Sequence, residues 1–377
     1  MKKILIAGFC FVAAAMPGAV HSQTIAVSVD NTSLVEAAMR AKAYGEAPQG
    51  APPPMSSIAL LTLSGTSIVS REIAEDERLT TIFDATGSKL IAVTYQWLKG
   101  KTRVDVIDAK SGNLLNSFPL KDFELELQPQ DIAGAQPPRT LCRLGDGTFA
   151  AIGVRDQKVT LVNFSSLKEI SRMSLPQVGM FPGFISRISE DDRMVLTWYP
   201  WTTSYKTLQY GMLHFGPAVE FRDLNFGKSF ETCTFALLPD GMAALDTEGG
   251  CTLFDKSGKQ RAQFHIEQKL PGEFSPDVFG FTSDGKLVVA LNYLSELGNA
   301  NGKTQVAIID THNGNTTLGP EIATMKYGTV GHFGKEGDCI CALPPDNSRL
   351  AIYSLPASRL VRNIPLAYPW LYHVTVK

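Results

Sequence analysis

From Ser57 onward the chain reads as short apolar runs, rich in Val, Ile, Phe, Tyr and Thr, broken by turns that carry Asp-Gly, Ser-Gly or Asn-Gly. One turn class recurs between two apolar runs: Thr86-Gly87, Asp146-Gly147, Asp191-Asp192, Asp240-Gly241, Asp284-Gly285 and Glu336-Gly337. Asp-Gly supplies the positive φ of a tight hairpin, so each is expected to join two antiparallel strands. A second class follows about 20 to 30 residues later: Lys110-Ser111-Gly112, Ser165-Ser166, Phe215-Gly216-Pro217, Lys256-Ser257-Gly258, His312-Asn313-Gly314 and Pro356-Ala357. The two classes interleave into six copies of strand, corner, strand, loop, strand, corner, strand. Each copy is about 50 residues, the size of a four-stranded propeller blade.

Ser64-Gly65-Thr66, flanked by Ile58–Leu63 and Ser67–Ile73, is an extra member of the second class with no first-class corner before it. Its missing partner is expected from the other end of the chain, where Leu371 to Val376 reads as a strand without a second half. The pattern therefore predicts an all-β, seven-bladed β-propeller of four-stranded antiparallel blades, with a terminal blade shared by the N- and C-termini. Six or eight blades are the alternatives. Sharing a blade removes the sheet edges an open array would expose.

Two copies carry a resemblance. Ser283 to Asn292 followed by Val306 to Gly314, and Thr86 to Val93 followed by Val104 to Ala109, resemble the repeat of bacterial extracytoplasmic YVTN-type propellers. That superfamily also contains quinoprotein amine dehydrogenase-like and WD40-like proteins. The resemblance covers about 300 residues by architecture and two blades by motif, and the other four depart from it. It implies a seven-bladed propeller and little about function, since the fold hosts enzymes, receptors and scaffolds alike.

The first residues read differently. Lys2 and Lys3 precede an apolar run from Ile4 to Ala15, followed by Pro17, Gly18 and the small residues before Gln23, the order of a secretory signal peptide cleaved after Ser22. The run is shorter than the ~20 residues that span a bilayer, and no second such run follows, so no transmembrane segment is expected after cleavage. Cys10 lacks a small residue before it, which argues against a lipoprotein site. Residues 23–56 read as a short helix over Ser33 to Tyr44 and a Pro-rich linker, with the propeller domain at 57–377. A periplasmic or secreted location follows.

Composition sharpens this picture only modestly. With 377 residues, 44% hydrophobic and 19% charged, the chain has enough apolar content for a large core, which excludes a disordered, collagenous or coiled-coil chain. A net charge of -2 gives no electrostatic reason to expect nucleic acid. After cleavage the cysteines are Cys142, Cys233, Cys251, Cys339 and Cys341, an odd set that reads as small buried hydrophobes. Cys339 and Cys341 are too close for a redox or zinc motif.

Candidate chemistry comes from repeated positions. Tyr95, Tyr199 and Tyr293 each lie eight residues after Gly87, Asp191 and Gly285 of their corners, at the end of a second strand. The loops beyond them, Gln96 to Lys101, Pro200 to Gln209 and Leu294 to Lys303, are the longest within blades, and the first two carry Trp97, Trp201 and Tyr205. Aromatics there suit a binding face, or else pack their own loops on the blade. Arg143 and Arg187 share a position on first strands, where they would form an anion site in the central channel or pair with a neighbouring blade through Asp84 or Asp146. His332 and His373 fall on inner strands, but no nearby carboxylate completes a ligand set, so neither a metal nor another cofactor is expected. No nucleophile elbow, Walker loop, zincin, haem or EF-hand motif occurs. The expected function is a non-catalytic exported module that binds a protein or other envelope component across the loop face. The alternative is a propeller enzyme, a lyase, lactonase or quinoprotein-like oxidoreductase, acting at the central channel. A structural subunit docking through Ser33 to Pro54 is a third class.

Overall fold

The computed structural model describes residues 24–30, 56–62, 67–73, 77–96, 99–125, 141–155, 158–175, 180–187, 193–199, 209–215, 219–224, 234–238, 240–246, 249–266, 274–282, 284–294, 300–324, 329–333, 339–342, 344–345, 349–365 and 373–376. Among these residues the strands form seven antiparallel sheets. Sheet 1 contains β1 (Thr24–Asp30), β2 (Ser56–Thr62) and β3 (Ser67–Ile73), with β29 (His373–Val376) completing the order β29-β1-β2-β3. Sheet 2 runs β4 (Glu77–Phe83), β5 (Lys89–Gln96), β6 (Lys101–Asp108), β7 (Leu114–Leu120). Sheet 3 runs β8 (Leu141–Arg143), β9 (Phe149–Arg155), β10 (Lys158–Phe164), β11 (Glu169–Ser174). Sheet 4 runs β12 (Met180–Arg187), β13 (Arg193–Tyr199), β14 (Gln209–Phe215), β15 (Val219–Leu224). Sheet 5 runs β16 (Thr234–Leu238), β17 (Gly241–Leu245), β18 (Gly250–Asp255), β19 (Gln260–His265). Sheet 6 runs β20 (Phe274–Phe281), β21 (Leu287–Leu294), β22 (Ala300–Ile309), β23 (Thr316–Leu318), with β24 (Ile322–Ala323) also on β22. Sheet 7 runs β25 (Thr329–Phe333), β26 (Cys339–Ala342), β27 (Arg349–Ser354), β28 (Arg359–Pro365).

The chain is an all-β propeller with four-stranded antiparallel blades. First strands lie side by side around its centre: β4 touches β8, β12 touches β16, β16 touches β20, and β20 touches β25. β29 touches both β25 and β4, which joins the two ends of the chain. Core residues lie between neighbouring sheets. Ile91, Val93 and Val104 of sheet 2 meet Leu141, Phe149 and Val162 of sheet 3, while Leu90, Ala92 and Ile107 face Leu60 of sheet 1. Successive residues of β5 thus point into two different interfaces, which is why this strand reads as a continuous apolar run rather than an alternation. The ring of Phe164 stacks on Phe149, with centroids 5.6 Å apart, and meets Phe118 edge-on. Sheets 5 and 6 share an equivalent layer around Phe274, Leu253 and Leu291. Fourth strands face outward and are mostly exposed, as in β7 and β19.

The domain boundary expected at residue 57 is corrected. Thr24–Asp30 is not part of a preceding segment: it pairs with β2 from Thr24↔Thr62 to Asp30↔Ser56 and with β29 from Ile25↔Val376 to Ser28↔His373. The C-terminal strand therefore pairs with β1, and β1 separates it from β2. The expected signal peptide, the helix over Ser33 to Tyr44 and the Pro-rich linker lie outside the described residues. Among the described residues no helix is long and apolar enough to cross a membrane.

Candidate functional site

The corners and the loops occupy opposite ends of the sheets. At the corner end, Asp108, Asp255 and Asp310 are held by their own turns. The Asp108 carboxylate accepts from the Ser111 hydroxyl and amide, both at 2.7 Å, and from the Lys110 amide at 3.1 Å. The Asp255 carboxylate accepts from the Ser257 hydroxyl at 2.6 Å and from the amides of Ser257 and Lys259. The Asp310 carboxylate accepts from the His312 amide at 2.9 Å and from the Asn313 side chain at 3.0 Å. These bonds favour the ionised carboxylate, so all three groups sit below the usual range: Asp108 chiefly through the Ser111 hydroxyl, Asp255 through the Ser257 hydroxyl and Asp310 through the His312 amide. At the first-class corners, Arg261 lowers Asp240 and Lys286, ahead of Thr282, lowers Asp284. The motif that carries the family resemblance is thus a set of turn staples.

The loop end is built differently. Tyr95, Tyr199 and Tyr293 each stand near the loop-side end of a second strand, opposite Arg78, Met180 and Phe274 of the first strands. Tyr95 is half-buried against the layer between sheets 2 and 3, and its hydroxyl donates to Glu124 Oε2 at 3.2 Å. Tyr293 is 5% exposed, and its hydroxyl donates to Gln305 Oε1 at 2.9 Å. Burial, then the charge of Glu321, raises the Tyr293 phenol above its ordinary value and keeps it a donor. Gln305 in turn donates from Nε2 to the Gly319 carbonyl at 2.6 Å. For Tyr199 and Arg187 the strand is described but the side chain is not; Trp97, Trp201 and Tyr205 lie outside the described residues.

The tyrosine partners were not anticipated from the sequence. Glu124 lies on the segment leaving sheet 2, which lies against sheet 3: Thr102 Oγ1 donates to the Phe123 carbonyl at 2.5 Å, and the Val154 amide donates to the Glu124 carbonyl at 3.0 Å. In sheet 6 the equivalent threonine, Thr304, donates to Asn292 Oδ1 at 2.8 Å and meets Thr324 Oγ1 at 3.0 Å, while the Thr324 amide donates to the Gly302 carbonyl at 2.7 Å. A sequence signal existed for this arrangement. Gly100-Lys101-Thr102 and Gly302-Lys303-Thr304 repeat at the start of the third strand, with φ of 58° and 82° at the two glycines.

Arg143 is the last residue of β8. Its Nη1 donates to the Asp84 carbonyl at 2.8 Å, reaching across to sheet 2, while the Asp84 carboxylate holds its own corner through Thr86, Ser88 and the Lys89 amide. His332 and His373 lie on β25 and β29, two strands in contact. Among the described residues no group of three or more His, Cys, Asp or Glu side chains is placed to hold a metal ion. Among the described residues, Cys142, Cys251, Cys339 and Cys341 form no disulfide.

No family model matches the chain, and no curated protein matches it. Solved structures do. A candidate 6-phosphogluconolactonase from Bacteroides fragilis aligns with a TM-score of 0.53 at 11% identity, over 95% of this chain and 98% of its own. A protein from Lactobacillus plantarum aligns with a TM-score of 0.54 at 9% identity, over 94% and 99%. An oligogalacturonate lyase in complex with manganese aligns with a TM-score of 0.50 at 11% identity, over 81% and 80%. At these identities the likeness is one of fold, and this chain is similar in architecture to proteins of several chemistries.

Proposed function

We propose that this protein is an exported seven-bladed propeller that binds a protein or other envelope component across its loop face. The observation that carries the reading is the contrast between the two ends of the sheets. Asp108, Asp255 and Asp310 at the corner end are spent on turns, whereas at the loop end Tyr95 and Tyr293 stand near the ends of their second strands and bond to Glu124 and Gln305. Tyr95 and Tyr293 serve as posts that position loops, through Glu124 and Gln305. Trp97, Trp201 and Tyr205, carried by the loops themselves, make the contacts. On a seven-fold ring the positions of Tyr95, Tyr199 and Tyr293 are about 100° apart, a spread that fits a broad partner better than a small substrate. The bond from Arg143 Nη1 to the Asp84 carbonyl supports a structural role for that guanidinium between sheets 2 and 3.

The test is capture from envelope extracts by the immobilised full chain, comparing wild type with Trp97→Ala and Trp201→Ala. A buried aromatic anchor costs about 2 kcal/mol or more when truncated. Partner capture is expected to weaken at least tenfold while the melting temperature changes little. A fall in melting temperature with capture lost only in proportion would instead make both indoles loop-packing residues and overturn the reading.

A further inference from the structure

β1 is held unlike any other described strand. It fills a slot between β29 and β2, paired on both edges, and it is linked to the other described strands through its Asp30 end alone. Asp30 lies directly opposite Ser56, a geometry that a two-residue hairpin turn would close. The chain instead inserts residues 31 to 55 between these two paired positions. Among the other consecutive strands within a sheet, the longest interval is residues 200 to 208, and the rest are six residues or fewer. A connection of that length reaches at most about 80–90 Å, against the ~4.8 Å spacing it has to bridge. The covalent path therefore does not dictate which copy of sheet 1 receives β1.

We propose that the slot between β29 and β2 accepts β1 from a second copy of this chain, giving a strand-swapped dimer in which each sheet 1 is completed by its partner. The paired backbone groups are the same whether β1 arrives from its own chain or from another, so exchange changes no strand–strand contact. Concentration decides the balance. A tethered strand competes at an effective concentration on the order of millimolar, which makes the monomer dominant in dilute solution and the dimer accessible when the chain folds crowded. The proposal is independent of what the loop face binds.

Direct partners Val27 and Ala59 supply the test. Full-length chains carrying Val27→Cys with one tag and Ala59→Cys with another are unfolded, refolded together, and oxidised. A disulfide-linked product bearing both tags is expected at about 0.5 mM protein and at least tenfold less of it at about 5 μM, following the millimolar effective concentration. Replacing residues 31–55 by Asn-Gly in both chains is expected to abolish it. The double variant Val27→Cys/Ala59→Cys in a single chain reports the cis pairing. Cis closure in that variant, with no two-tag product at either concentration, would overturn the proposal. If either cysteine prevents folding, co-purification of two differently tagged wild-type chains after joint refolding reads the same exchange, and its absence at about 0.5 mM counts against the swap equally.

Discussion

Cys251 shows how completely the inter-sheet layers exclude water at the level of one residue. It sits on β18 in the layer between sheets 5 and 6, and burial, reinforced by the Asp246 carboxylate, pushes its thiol from 9.0 up to about 12. Cys341, buried on β26, is raised well above the ordinary value by the same cause, followed by the effect of Cys339. Because the thiolate is the nucleophile, native Cys251 and Cys341 should resist alkylation at pH 8 and react only on unfolding. The pH dependence has a definite sign. Below 9.0 the Cys251 thiol is protonated in both states and contributes no slope. Between 9.0 and about 12 the unfolded chain loses the proton while the folded chain keeps it, so stability falls as pH rises. One such thiol contributes about 1.4 kcal/mol per pH unit inside that window. Denaturant melts at pH 9 to 11 should show a shallower decline for Cys251→Ala than for wild type, and identical slopes would mean that the thiol is open to solvent.

Strands, corners and the segments between sheets differ in how local their causes are. Gly153 on β9 shows a close approach between segments: a Cβ there would lie 2.6 Å from the Glu124 carbonyl oxygen and 2.6 Å from the Phe123 ring. Gly153→Ala should therefore lift the Phe123-Glu124-Leu125 segment off sheet 3 and cost about 1–3 kcal/mol. Gly147→Ala, where the Cβ meets nothing within 4 Å and only the φ of 84° is strained, should cost about 1 kcal/mol. Equal denaturant midpoints for the two variants would show that the segment does not bear on β9. The same locality governs what the sequence could tell. Thr86-Gly87, Asp146-Gly147 and Asp284-Gly285 announce their hairpins because the turn residues themselves carry the positive φ, and the strands on either side follow. β1 carries no such signal. Thr24 to Asp30 has a strand-like sequence, but one partner begins after residue 55 and the other lies at the far end of the chain, so no neighbouring turn announces it. Glu124 and Gln305 were missed for a related reason. Their tyrosines lie 29 and 12 residues earlier, and only the repeated Gly-Lys-Thr hints that the two sheet ends are built alike.

At the scale of the whole molecule, stability depends on sheet 1 being assembled from both ends of the chain. β29 pairs with β1 and lies beside β4 and β25, so it links the first sheet to the second and to the last. β1 in turn is the only described strand joining β29 to β2. Deleting residues 371–377 removes the link itself, and deleting residues 24–30 removes what holds it to the N-terminal strands; either change opens the same joint. Each deletion should cost several kcal/mol, on the order of a few large core truncations, because it uncovers the faces of neighbouring sheets as well as a strand edge. Independent elements more than 7–10 Å apart give additive losses, whereas elements of one clasp do not. Once either deletion has opened the ring, the second should add less than half of its cost in the intact chain. Calorimetric or denaturant melts of the two single deletions and the double deletion give that coupling directly, and the loss for each single deletion should appear as one cooperative transition. Additive costs would mean that β1 and β29 stabilise separate parts of the structure, and that closure at sheet 1 does not hold the propeller together.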